Sequence, residues 1–129
     1  MELGIDSRVS FLGFQSSRLR YLRHFDLFVI PSHREGMSRA LLEAQATGVP
    51  CVGARVPGIQ ELLEDGVTGF TVPPGDPGAL ARAISACISN SAYAQRMANT
   101  ARRRVITLYG PEPMARAYED LYSELCHAG

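Results

Sequence analysis

Asp26-Leu-Phe-Val-Ile-Pro-Ser-His-Arg-Glu-Gly-Met-Ser-Arg-Ala-Leu-Leu-Glu-Ala-Gln-Ala-Thr-Gly48 is the stretch whose reading decides the fold. Leu27–Ile30 is a continuous apolar run with β-branched members, short enough for a buried parallel strand. Pro31 stops it. Arg39–Ala46 then carries a helical apolar pattern that Gly48 closes. Between the two lies a loop of small and charged residues, 32–38. Strand, short polar loop and helix together place a binding site at the carboxyl edge of an open α/β sheet. Gly36 lets backbone N–H groups approach a ligand there, and the helix start favours an anionic one.

Two glutamates frame that loop. Glu35 falls within it, where a carboxylate can accept hydrogen bonds from hydroxyls. Glu43 falls on the second turn of the helix, among Leu41, Leu42, Ala44 and Ala46. Two acceptors around a helix N-terminus suit a ligand that carries both hydroxyls and phosphate, such as a nucleotide sugar. Spacing alone equally allows two solvated surface glutamates.

Outside this stretch, length and composition set limits. A chain of 129 residues makes one domain, near the small end for an α/β sheet. Thirteen basic residues balance thirteen acidic ones, so charge gives no argument for nucleic acid or membrane as a partner. Every basic residue is arginine, which excludes lysine chemistry within the chain. Cys51, Cys87 and Cys126 are scattered and read as reduced core thiols of a cytoplasmic protein. Neither they nor His24, His33 and His127 show metal-ligand spacing, and no metal or cofactor is expected. No signal-peptide pattern or membrane-length apolar run stands out.

Either side of the central stretch, short apolar runs alternate with helical patterns. Val9–Leu12 reads as a strand ending at Gly13. Ser16–Phe25 reads as a helix with Leu19 and Leu22 inward, and with Arg18, Arg20 and Arg23 as a solvated face. Pro50–Gly53 and Gly69–Val72 read as further strands around a short helix, Ile59–Glu64, and an Asp65-Gly66 turn. Asp76 can cap a helix that has Pro77 at its first position. Its core stripe runs through Leu80, Ala83, Ile84, Cys87 and Ile88. After a break at Asn90-Ser91, a second helix presents Tyr93, Met97, Ala101 and Val105. Pro111 opens the last helix, whose stripe is Met114, Ala117, Tyr118, Leu121, Tyr122 and Leu125. This order predicts an α/β fold, a Rossmann-like parallel sheet with C-terminal helices. The core spans 9–110, and the last helix spans 111–127.

From Val9 to about Leu125 the chain resembles the C-terminal domain of the two-Rossmann-domain (GT-B) retaining glycosyltransferases of group 1. Val9-x-Phe-Leu-Gly13, Asp26–Ser32, Glu35-Gly-x6-Glu-Ala44, Gly48-Val-Pro50, Gly58-Ile-x-Glu61 and Asp65-Gly-x-Thr-Gly69 with Val72–Asp76 carry the resemblance. It implies a nucleotide-diphosphate sugar as donor and a sugar or lipid-linked acceptor that these residues do not identify. Cell-surface polysaccharide or glycoconjugate synthesis is the implied setting, in the cytoplasm or at the inner face of the membrane. Glu35 is implied to accept hydrogen bonds from the donor sugar's hydroxyls and is the catalytic residue carried over. The N–H groups of Gly36, Met37 and Ser38 are implied to face sugar and diphosphate, and Glu43 to hold the ribose. Leu42 is implied to line the pocket, and Gly13 and Phe14 to lie near the base. Gly58 and Glu61 read as structural. Glu35-Gly-Met-Ser38 replaces the commoner Glu-Gly-Phe-Gly, and Pro57-Gly58 replaces Gly-Gly.

The resemblance also marks what these residues do not include. The family's acceptor-binding first domain has no counterpart here, nor do the arginine and lysine that neutralise the leaving diphosphate. One preorganised donor at such a charge is typically worth about 2.7–4 kcal/mol of transition-state stabilisation. The expectation is therefore a donor-binding part without transferase activity of its own. A nucleotide-binding subunit of a split enzyme, or part of an epimerase of the same architecture, are the alternatives. In the family strand order 3-2-1-4-5-6, Val9–Leu12 is third and Leu27–Ile30 fourth. Two strands that belong between them in that order have no counterpart in these residues, so direct pairing, filling by a second chain or a loose N-terminal strand all stay open. An exposed sheet or last helix would favour self-association.

Overall fold

The structure, a computed structural model, describes residues 3–128. Its sheet has three parallel strands in chain order: β1 (Phe28–Ile30), β2 (Cys51–Ala54) and β3 (Phe70–Val72). The register places Val29 opposite Val52, and Gly53 opposite Thr71. Side chains of β2 reach two buried clusters, as a strand covered on both faces requires. Cys51 joins Ile30, Leu41, Ala44, Ile59 and Leu63 in one of them. Val52 joins Val72, Cys87 and Ala94 in the other. Helices therefore lie on both faces of a Rossmann-like sheet.

The helix after β1, α2 (Arg39–Thr47), forms for reasons visible in its ends. Ser38 caps it, its Oγ accepting from Leu41 N–H at 3.3 Å. Gly48 ends it at φ 78°, a left-handed conformation in which its N–H reaches the carbonyls of Ala44 and Gln45. Leu41, Ala44 and Gln45 face inward and are fully buried. Gln45 Nε2 donates to the Leu62 carbonyl at 2.8 Å, and its Oε1 is buried with no partner among the described residues. On the far side α2 packs against α5 (Ser91–Tyr109), whose Ala94, Met97, Ala98, Ala101 and Val105 are buried. Small residues there let the two backbones approach closely.

The short helix expected at Ile59–Glu64 is instead one turn, α3 (Pro57–Gln60), with proline at its start. It does not continue because Thr68 Oγ1 takes the Glu64 N–H at 2.8 Å. Asp65 Oδ1 then accepts from Thr71 N–H at 2.7 Å, satisfying a strand donor that β2 does not reach. Asp76 caps α4 (Pro77–Ser89) through Ala79 N–H at 2.8 Å, with Pro77 at the first position. On its stripe Cys87 is buried, whereas Ile88 is exposed and not part of the core as expected. Burial pushes the Cys51 thiol up to about 12 from an ordinary 9.0, with a smaller contribution from Cys87. Cys126 is exposed, so it is no core thiol.

Two further expectations at the N-terminal end are corrected. Val9–Leu12 forms no strand: it pairs with nothing, and Phe11 is 96% exposed. A strand needs ladder partners and a covered face, and among the described residues no strand lies beside it to offer either. The helix expected at Ser16–Phe25 shortens to α1 (Arg18–Leu22). Its last residue, Leu22, is buried in the cluster beside α2, while Leu19 is exposed. So short a helix buries one residue. The last helix, α6 (Pro111–His127), buries none of its residues, and Met114, Tyr118, Leu121, Tyr122 and Leu125 are all exposed. No helix of the described residues is long and apolar enough to cross a membrane.

Candidate functional site

The loop after β1 carries the first group of candidate residues. Glu35 is half-buried, Gly36 and Met37 are exposed, and Ser38 is buried beneath them as the α2 cap. None of the N–H groups of Gly36, Met37 and Ser38 donates to another group of the described residues. They sit at the start of a nine-residue helix, where peptide dipoles favour an anion. The loop is seated on Gly58. A Cβ built on Gly58 would overlap the carbonyl oxygens of Glu35 and Gly36 and come within 2.5 Å of the Gly36 carbonyl carbon. Glycine at 58 is thus what allows the Glu35-Gly36 backbone to lie where it does.

The second group meets in an open cavity of about 350 Å³ between α1, β1 and α2. Gly13, Phe14 and Glu43 all line it, brought together from segments thirty residues apart. Around them stand Arg18, Tyr21 and Phe28, so the wall is largely apolar, part of it aromatic, with one ion pair in it. Phe14 is 90% exposed, its ring free to meet a flat ligand. Leu42 is not part of this wall. It is half-buried and packs against the core cluster that holds Leu41 and Leu22.

Arg18 is the residue that sequence reasoning missed. It lies on the solvated face expected of it, and its guanidinium also forks onto Glu43. Nε donates to Oε2 at 3.2 Å and Nη2 to Oε1 at 2.9 Å. The side chains are 56% and 24% exposed. Twenty-five residues separate the two, so helical periodicity carries no trace of the pair. Tyr21 was equally silent in the sequence; its hydroxyl donates to Gln15 Oε1 at 3.0 Å, beside Gly13 and Phe14.

Chemically, the arrangement offers a flat apolar wall, a carboxylate beside it and free N–H donors more than one helix turn away. Such a row can hold an aromatic ring, a diol and an anion in sequence. No group of three or more potential metal ligands occurs among the described residues.

Residues 1–90 match the protein family described as glycosyl transferases group 1. Over 123 residues, 95% of the chain, it is 34% identical to the N-acetyl-alpha-D-glucosaminyl L-malate synthase of Bacillus anthracis, of which this covers 32%. The chain spans about a third of the length of the curated relatives it matches. Among solved structures, sucrose-phosphate synthase from Thermosynechococcus elongatus superposes with a TM-score of 0.88 at 32% identity. That match covers 97% of this chain and 32% of the other. Anabaena HepE, solved with UDP and with UDP-glucose, superposes with a TM-score of 0.82 at 30% identity, over 92% of this chain and 34% of that one. The C-terminal domain of LpcC from Francisella tularensis shares the fold, with a TM-score of 0.71 at 24% identity over 80% of this chain and 53% of that one.

Proposed function

The chain belongs to the group 1 glycosyl transferases, with the fold of their C-terminal domain, and from that premise we propose that it binds the sugar donor. The donor is a nucleotide-diphosphate sugar laid along α2. Its base sits in the cavity against Gly13 and Phe14, and its ribose hydroxyls donate to Glu43. The diphosphate and sugar meet the N–H groups of Gly36, Met37 and Ser38, and Glu35 accepts from the sugar's hydroxyls. Glu35 is the catalytic residue of this set, since it touches the sugar being moved. Residues 9–110 form the donor-binding core, and α6 reaches toward the acceptor-binding part of a longer enzyme. That whole enzyme transfers the sugar with retention to a polysaccharide or glycoconjugate acceptor.

The observation that carries this reading is the cavity that joins Gly13 and Phe14 to Glu43. These are distant in sequence, and a solvated surface glutamate has no reason to share a wall with them. The bound UDP and UDP-glucose of HepE, a protein 30% identical over most of this chain, support the choice of ligand class. We expect the 129 residues by themselves to bind donor without transferring it. Sugar transfer by the pure chain would overturn that part.

Calorimetric titration with UDP, GDP, ADP and their sugar conjugates tests the assignment. Glu43→Ala should weaken every nucleotide by about tenfold or more, the value of hydrogen bonds to a charged acceptor. Glu35→Ala should weaken the sugar conjugates and leave the free diphosphates alone. If both variants bind as the parent does, the placement is wrong.

A further inference from the structure

The Arg18–Glu43 fork bears on how the nucleotide gains its site. We propose that Arg18 competes with the ribose for Glu43, so that a nucleotide binds by displacing the guanidinium from the carboxylate. The inference rests on the donor-binding reading and deepens it.

The geometry of the pair carries the argument. Nε and Nη2 lie on one edge of the guanidinium, and each meets a different oxygen of Glu43, at 3.2 and 2.9 Å. Two parallel bonds of this kind use the facing lone pairs of both oxygens. A ribose offers two adjacent hydroxyls, and donating both to one carboxylate calls on that same pair of oxygens. A parallel two-point approach by either donor needs the two inward-facing lone pairs, so guanidinium and diol seek the same edge of Glu43 and one excludes the other there.

The surroundings let Arg18 leave. Arg18 and Glu43 both line the first cavity, and both also line a second open cavity of about 350 Å³ bounded by Ser16, Ser17 and Leu19. The guanidinium thus has room beside its present place. Its side chain is 56% exposed, so water solvates it once released. Ion pairs this exposed are weak enough for a ligand to break. Glu43 by contrast sits on α2 between the buried Leu41 and Ala44 and stays where it is.

A neutral nucleoside is the clean probe, because it carries the diol without phosphate charge. The wild-type chain and Arg18→Gln are titrated with the nucleoside whose diphosphate binds best among UDP, GDP and ADP, and with its 2′-deoxy analogue. Competition predicts that Arg18→Gln binds the ribonucleoside about two- to fivefold more tightly, the range to which a surface pair's strength converts. The deoxy analogue should gain less. Raising salt should tighten the nucleoside on wild type, by screening the pair, and leave Arg18→Gln unmoved. Arg18→Lys, which cannot fork, should fall between the two, with melting curves showing that both variants fold. Equal or weaker nucleoside binding by Arg18→Gln overturns the proposal. If Glu43→Ala weakens nucleotides while Arg18→Gln changes nothing, competition fails and the donor-binding reading stands. If no diphosphate binds the wild-type chain, both fail together.

Discussion

Replacing Gly58 by alanine tests whether the Glu35 loop is placed by the contact beneath it. The added methyl would overlap two carbonyl oxygens and lie 2.5 Å from the Gly36 carbonyl carbon. Carbon atoms in contact rest at about 3.5–4.0 Å, so the loop must retreat by roughly 1–1.5 Å. Overpacking of this kind costs about 1–3 kcal/mol. Alanine in the α3 turn returns up to about 1 kcal/mol through helix propensity. With the full offset the net loss is up to about 2 kcal/mol and should lower Tm by up to roughly 10 °C at this chain length. Binding should change selectively, because positioned groups tolerate only about 0.5 Å of displacement. Glu35 and Gly36 move, whereas Glu43, Phe14 and the cavity between them do not touch Gly58. Calorimetry on Gly58→Ala should therefore find uridine affinity within about threefold of the parent. Whatever affinity UDP-glucose gains over UDP in the parent should vanish. A variant that keeps both the parent Tm and the parent ratio of UDP-glucose to UDP affinity would refute the seating contact.

Three further outcomes are expected. Asp76→Ala removes the α4 cap on Ala79 N–H and should destabilise the chain by about 0.5–2 kcal/mol in urea unfolding. The Cys51 thiol holds its proton up to about 12 in the folded state against 9.0 ordinarily. Its contribution to stability is complete below pH 9 and is lost as pH rises toward 12. Unfolding curves at pH 8.5 and 10.5 should show a steeper loss in the parent than in Cys51→Ala. The uncovered apolar side of α6, with Leu121, Tyr122 and Leu125 exposed, should drive concentration-dependent association. Sedimentation should show this for the parent and a monomer for Leu121→Glu/Leu125→Glu. A parent that stays monomeric at high concentration would count against it.

What the sequence made legible was local. Pro31, Gly48, Asp76 and Pro77 mark element ends by their own backbone chemistry, and the structure uses Asp76 as a cap and Gly48 at positive φ. The buried strands β1 to β3 were legible because a run covered on both faces has to be apolar throughout. Val9–Leu12 has the same look and yet forms no strand, because an apolar run states a tendency and not the presence of a partner. The site divides the same way. Glu35, Gly36 and Ser38 stand together in one loop and could be read as a unit. The Arg18–Glu43 fork and the Gly58 seat are tertiary contacts, across 25 and 22 residues. No periodicity records such contacts.

That division bears on how the site works. Helix α2 is held from three directions: its inward face in the core, α5 on its flank, and the Gln45 amide tied to the Leu62 carbonyl. From Ser38 to Glu43 it advances about 7.5 Å at 1.5 Å per residue, a spacing the ligand cannot adjust. In the proposed binding mode the helix therefore acts as a fixed ruler between the N–H groups at its start and the Glu43 carboxylate. Phe14, Met37 and Arg18, all exposed, are the members free to adapt. A ligand whose anion-to-diol distance fits the ruler gains both ends at once and has only Arg18 to move. One that fits neither end would have to unpack α2 from its core, which a weak surface contact does not repay. On that proposal, discrimination among ligand classes falls to the buried face of α2, and tuning among related nucleotides to the exposed residues around it.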